Sequence, residues 1–156
     1  MTNCPGCLKE GHSTYCLPCR KRLFDGKRVS HVLPFSRPVY EEAHSAATGD
    51  RLSISGIQTK MPLVLRAGRL EMVRKGGQYI LKPIPHGVFQ RLDIVPVNEN
   101  LTMQIARQVL GIRVAENALV EFEDGEVAYL VRRFDVREGG SRHLQEDFAQ
   151  IAGRSE

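Results

Sequence analysis

Strand-like alternation of apolar and polar side chains governs the middle of the chain, and a helical repeat follows it. Residues 61–66 and 70–74 alternate on either side of Ala67-Gly68, which predicts a β-hairpin with a tight turn. Residues 78–83 form a short apolar strand that ends at Pro83. Residues 91–97 carry no periodic pattern and read as a loop. Over residues 98–110 the spacing changes: Leu101, Ile105 and Val109 recur four apart with Ala106 and Leu110 beside them, which predicts an amphipathic helix. Asn98 suits its N-cap and Gly111 its C-terminal stop. Residues 118–123 and 126–133 then read as two strands joined at Asp124-Gly125, and residues 144–152 as the opening of another helix. The front of the chain is less regular. Pro34 and Pro38 interrupt it, leaving room for a short helix over residues 39–47. The chain thus divides into residues 1–24, a connector over 25–51 and a unit over 52–156. The mixture predicts an α+β fold, an antiparallel sheet with one main helix.

Composition narrows the field. The 156 residues are 42% hydrophobic and 26% charged, a globular balance that allows one domain with a small appendage. A net charge of +4 suits a phosphate-bearing ligand and is too small to argue for DNA. The basic residues at the front, Arg20, Lys21 and Arg22 among them, read as a solvated surface. No run approaches the roughly 18 apolar residues of a membrane helix, and no apolar core follows a basic start. These features predict a cytoplasmic protein with no membrane partner.

All four cysteines lie in residues 1–24, as Cys4-Pro-Gly-Cys7 and Cys16-Leu-Pro-Cys19. Two complete CxxC pairs with no cysteine left over match the four thiolate ligands of a structural zinc site. Disulfides or free thiols are the other readings; a reducing compartment favours the metal. Gly6 offers a positive φ for the first turn. A segment this short needs such a centre, because apolar burial alone does not fold it.

Ahead of the first strand, Ser53-Ile54-Ser55-Gly56-Ile57-Gln58-Thr59-Lys60 combines small hydroxyl residues with a glycine, a loop whose amides can approach phosphate oxygens. It is not a Walker A loop. Lys82 sits inside the apolar strand Tyr79-Ile80-Leu81-Lys82, where an ammonium needs a partner. Glu99, in the first turn of the predicted helix, is a candidate. A solvated Lys82 at a strand edge, with Glu99 favouring its helix N-terminus, fits the spacing equally well.

The ordered runs LSISGIQTKMPLVL, QYILKPIP, VNENLTMQIARQVLGIRVAENALV, DGEVAYLVRRFDV and QEDFAQIAG resemble the HipA family of bacterial toxin kinases, over residues 52–153. The resemblance implies an ATP-binding kinase N-lobe. Its phosphate loop corresponds to Ser53, Ser55, Gly56, Gln58 and Lys60, and its catalytic pair to Lys82 and Glu99. The segment that joins the lobes, whose backbone meets the adenine, corresponds to Val131-Arg132-Arg133-Phe134-Asp135, with Arg133, Phe134 and Asp135 as the cofactor-binding candidates. Two departures stand out: Arg132 occupies a position where some relatives carry an acid, and the cysteine segment replaces a β-rich front subdomain that shorter relatives encode as a separate protein. The family implies ATP and magnesium as cofactors and a protein substrate of the aminoacyl-tRNA synthetase class. It also implies autophosphorylation at the serine loop and a helix-turn-helix antitoxin through which DNA is contacted indirectly. The family's catalytic aspartate–asparagine loop and metal-binding aspartate belong to a helical second lobe, for which no residues follow Glu156, so this chain by itself is expected to be catalytically incomplete. The competing expectation is a zinc-ribbon module that recognises nucleic acid or a protein; the lack of Trp and the scarcity of aromatics weigh against base stacking.

Overall fold

The computed structural model describes residues 2–48, 59–88, 90–136, 141, 143–144 and 151–153. Strands β1 (Met61–Arg66) and β2 (Arg69–Met72) form the first hairpin. Ala67 (φ 46°) and Gly68 (φ 79°) are both left-handed, as the tight turn requires. Strand β3 (Tyr79–Lys82) pairs with β1, β5 (Val127–Arg132) pairs with β3, and β4 (Asn117–Glu121) closes an antiparallel sheet of order β2-β1-β3-β5-β4. The β4–β5 turn is wider than Asp-Gly by itself predicts. Phe122 N–H donates to Glu126 O and Gly125 N–H to Phe122 O, and within this turn only Gly125 takes a positive φ, 89°.

Register sorts the side chains onto two faces. Met61, Leu63, Tyr79, Leu81, Ala118, Val120, Ala128 and Leu130 point to the back and join one buried core. Helix α1 (Leu17–Phe24) supplies Leu23 and Phe24 to that core, and helix α2 (Arg37–Thr48) supplies Tyr40. Val29, Leu33 and Phe35, from the segment read as a connector, are buried there too. The front face carries Pro62, Ile80, Lys82, Leu119, Tyr129 and Val131, with helix α3 (Val95–Gln108) packed over β4 and β5.

The outer edge of β4 is covered by the chain's own front. Leu119 N–H donates to Pro5 O (2.9 Å), and the Tyr15 hydroxyl donates to Leu119 O (3.0 Å). Further along, Leu33 N–H reaches Glu121 O at 2.7 Å, Glu121 N–H reaches His31 O at 2.8 Å, and Glu123 N–H reaches Phe35 O at 3.1 Å. An edge that would otherwise invite pairing with another chain is thereby closed.

Element boundaries depart from the sequence pattern at three places. Helix α1 is not announced by apolar periodicity; it starts directly behind Cys16, with Pro18 in its first turn. Helix α2 runs through Pro38, which a first turn tolerates because no N–H is needed there. Helix α3 begins at Val95, behind a 3-10 turn over Leu92–Ile94, with Pro96 in its first turn. Asn98 is therefore inside the helix rather than its cap, and Glu99 lies in the second turn. Gly111 does end the run, with φ 64° and Ile112 N–H returning to Ala106 O at 2.9 Å. The helix expected over 144–152 falls mostly on residues outside the described set. Among the described residues, no helix is long and apolar enough to cross a membrane.

Candidate functional site

Lys82 ends β3 on the front face, and α3 carries Glu99 over it. The Lys82 ammonium donates to Glu99 Oε1 at 2.6 Å, and Nζ stands 5.5 Å from the centroid of the buried Tyr129 ring. The pair is partly exposed, so the ammonium has a partner and still meets solvent. Of the two roles open to Lys82 on spacing alone, the structure selects the paired one.

The height of α3 over the sheet is set by amides. Asn100, Gln104 and Asn117 are 0%, 4% and 2% exposed. Asn100 Nδ2 and Gln104 Nε2 both donate to Asn117 Oδ1, at 2.9 and 3.1 Å, and Asn117 Nδ2 donates to Ala115 O at 2.7 Å. Arg107 adds a bond to Glu116 Oε2 at 2.6 Å. The apolar spacing that predicts the helix lies on its outer side: Leu101, Ile105 and Val109 are 44%, 45% and 75% exposed. These amides were missed as candidates; polar residues at 100 and 104, four apart inside the helix, were the available signal.

At the other end of the strands lies the segment Arg133-Phe134-Asp135. Arg133 N–H donates to Gln78 O at 2.9 Å, continuing the β3–β5 ladder. The Arg133 guanidinium grips the Asp135 carboxylate with two bonds, Nε–Oδ1 at 2.9 Å and Nη2–Oδ2, which raises the guanidinium's pKa. Phe134 is 73% exposed and therefore not a core residue. Tyr79 pairs with Arg132 and Lys82 with Tyr129, so three residues of strand, about 10 Å, separate Arg132 from the level of the ion pair. Ile80 and Val131, paired and half-buried on the front face, fill that interval. Lys60 is exposed one residue before β1. Ser53, Ser55, Gly56 and Gln58 lie outside the described residues.

The four cysteines converge at the front. Their Sγ atoms all lie within 4.8 Å of one another, and Cys7 and Cys16 are 3.7 Å apart. A tetrahedron of thiolates about 2.3 Å from one zinc has edges of about 3.8 Å, so the cluster fits that ion. Cys16 N–H donates to Cys4 Sγ at 3.3 Å, and Arg22 Nη2 to Cys19 Sγ at 3.4 Å, contacts that favour thiolates. The hydrogen bond from Cys19 holds the Cys4 thiol well below its ordinary value, while the same bond and burial push Cys19 up; a cation bound here would displace the thiol protons. Gly6 does not supply the positive φ expected of it; Leu8 does, at 64°.

A family model for the HipA-like C-terminal domain matches residues 52–156. The chain belongs to the HipA family. This HipA-family chain is 35% identical over 117 residues to a Haemophilus influenzae (strain Rd) protein named "Putative kinase". The similarity covers 72% of the chain and 32% of that relative, so the chain spans about a third of the relative's length. The cysteine cluster precedes the region that the family model matches.

Proposed function

We propose that this chain is the ATP-binding lobe of a HipA-type protein serine/threonine kinase, built onto a structural zinc knuckle. One observation carries the reading: the front face holds an ion-paired lysine at one end, a strand-exit segment at the other and an apolar floor of Ile80 and Val131 between them. A nucleoside triphosphate spans such a face with its base toward residues 133–135 and its phosphates toward Lys82. In kinases the corresponding strand lysine binds phosphates only while a helix acid holds it in place. Here Lys82 would neutralise phosphate charge and Glu99 would fix its direction. Magnesium, when bound with the nucleotide, offsets further phosphate charge. Family membership supports the rest of the proposal: a cytoplasmic toxin kinase, a helix-turn-helix antitoxin partner, a substrate of the aminoacyl-tRNA synthetase class and autophosphorylation at Ser53 or Ser55. The four cysteines would hold one zinc.

Calorimetric titration of the chain with Mg·ATP tests the reading. Lys82→Ala is expected to weaken binding about 10- to 100-fold, the loss of a charge-assisted bond worth about 1.5–3 kcal/mol. Glu99→Gln is expected to weaken it less. Equal affinity of Lys82→Ala and the unaltered chain would overturn the assignment, and salt-dependent oligonucleotide binding in place of ATP would favour a binding module.

A further inference from the structure

Arg132 pairs with Tyr79 at the end of β5 and, like it, points to the back of the sheet, toward the cysteine knuckle. Its guanidinium meets the C-terminal end of α1. Nη1 donates to Arg22 O (2.8 Å), to Leu23 O (3.3 Å) and to Asp25 Oδ1 (2.8 Å), and Nη2 donates to Asp25 Oδ2 (3.1 Å). The Tyr79 hydroxyl, on the strand opposite, donates to the same Leu23 O at 2.8 Å. A helix C-terminus and a carboxylate are both negative, so a planar, bidentate cation fits both at once.

Helix α1 is also the helix that carries Cys19. Arg22, one turn beyond, donates to Cys19 Sγ and pairs with Glu116 Oε2 at 3.1 Å. The Glu116 carbonyl in turn accepts Arg132 N–H at 2.7 Å. Two routes therefore run from the cysteine cluster to the last residue of β5, one through the α1 carbonyls and Asp25, the other through Arg22 and Glu116. The next residue is Arg133, the first of the three cofactor-binding candidates of the joining segment.

We propose that Arg132 and Asp25 are positioning residues, a brace through which the metal-loaded knuckle sets the backbone of residues 133–135 and with it nucleotide affinity. This rests on the reading of that segment as the base-contacting one. With zinc bound, α1 is held at its Cys19 end, its terminal carbonyls stay in place, and Arg132 is fixed. Once the cysteines release the metal, α1 loses that anchor and the brace its footing. A segment that meets a base through backbone groups tolerates little displacement, so a shift at Arg132 is read out as affinity.

The test uses the whole zinc-loaded chain and the variants Asp25→Ala, Asp25→Glu, Arg132→Ala and Arg132→Lys. Amide resonances of Arg133, Phe134 and Asp135 are recorded without nucleotide, Mg·ATP affinity is measured calorimetrically, and zinc content is assayed in each. Asp25→Ala and Arg132→Ala are expected to move those resonances and to weaken Mg·ATP about three- to tenfold at unchanged zinc content, the scale of one partly exposed bidentate pair. Asp25→Glu, which keeps the charge, is expected to recover most of the affinity. Should Arg132→Ala fail to fold, Asp25→Ala and Arg132→Lys carry the same comparison. Unmoved resonances at residues 133–135 in the Asp25→Ala chain would overturn the brace. Moved resonances in a chain that binds no Mg·ATP in any form would uphold the brace and refute the nucleotide reading.

Discussion

A Cβ added to Gly6 would lie 2.8 Å from Cys19 Sγ and 3.0 Å from Cys19 Cβ. The position is glycine because the Cys19 side chain from another turn needs the space, not because the backbone there is left-handed. Gly6→Ala is expected to push Cys19 off the tetrahedral position and lower zinc affinity about 10- to 100-fold, the range for disturbed outer-shell contacts. Competition with a chromophoric chelator measures it, and unchanged affinity would show that the cluster has room to spare. Arg132 makes a parallel point. An acid at that position would face the α1 carbonyls and Asp25, all negative; arginine there accompanies the knuckle.

At the scale of an element, α3 is held by polar groups while its apolar stripe faces outward. Burial of Asn100 and Gln104 is tolerable only because Asn117 accepts from both. Asn117→Ala would leave two buried amide donors without an acceptor, at about 1–3 kcal/mol each. Relaxation and water entry moderate the sum, so the expected loss is about 2–4 kcal/mol in urea unfolding. Since α3 also carries Glu99, the same substitution is expected to weaken Mg·ATP binding, although Asn117 touches neither Lys82 nor Glu99. A loss below about 0.5 kcal/mol, the range of an ordinary surface substitution, would mean the amides do not anchor the helix.

Taken whole, the molecule depends on its first thirty-five residues for its back layer and its β4 edge. Tyr15, Leu23, Phe24, Val29, Leu33 and Phe35 belong to the same core as the sheet residues Leu63, Leu81 and Leu130. Structural zinc supplies about 10–16 kcal/mol to small cysteine-containing folds, which equals or exceeds the roughly 5–15 kcal/mol that holds a whole domain together. Chelation is therefore expected to melt the knuckle and destabilise the sheet with it, rather than to release an independent appendage. Thermal unfolding followed by circular dichroism, with and without a strong chelator, should show one transition that moves down by more than ten degrees and returns when zinc is restored. An unchanged midpoint after complete metal removal would contradict that dependence.

Local patterns settle where local forces decide. Alternation predicted β1 and β2, a short apolar run predicted β3, and the Asp124-Gly125 turn marked β4 and β5, because apolar runs and turn residues carry their own backbone chemistry. The CxxC spacing likewise nominated the four cysteines that converge, since two thiols at a tight turn already lie close together. Tertiary contacts decided the rest. Periodicity found α3, yet which side faces the sheet depended on Asn117, distant in sequence and visible only after β4 is placed. The same spacing left Lys82 poised between a solvated and a paired state, and the pairing needed α3 to begin at Val95 and pack over β4 and β5 beside it. Nothing local in residues 25–36 announces a packed segment. Val29, Leu33 and Phe35 are buried because the back of the sheet offers apolar surface and the β4 edge offers unpaired N–H and C=O groups, and both exist only once the strands have assembled.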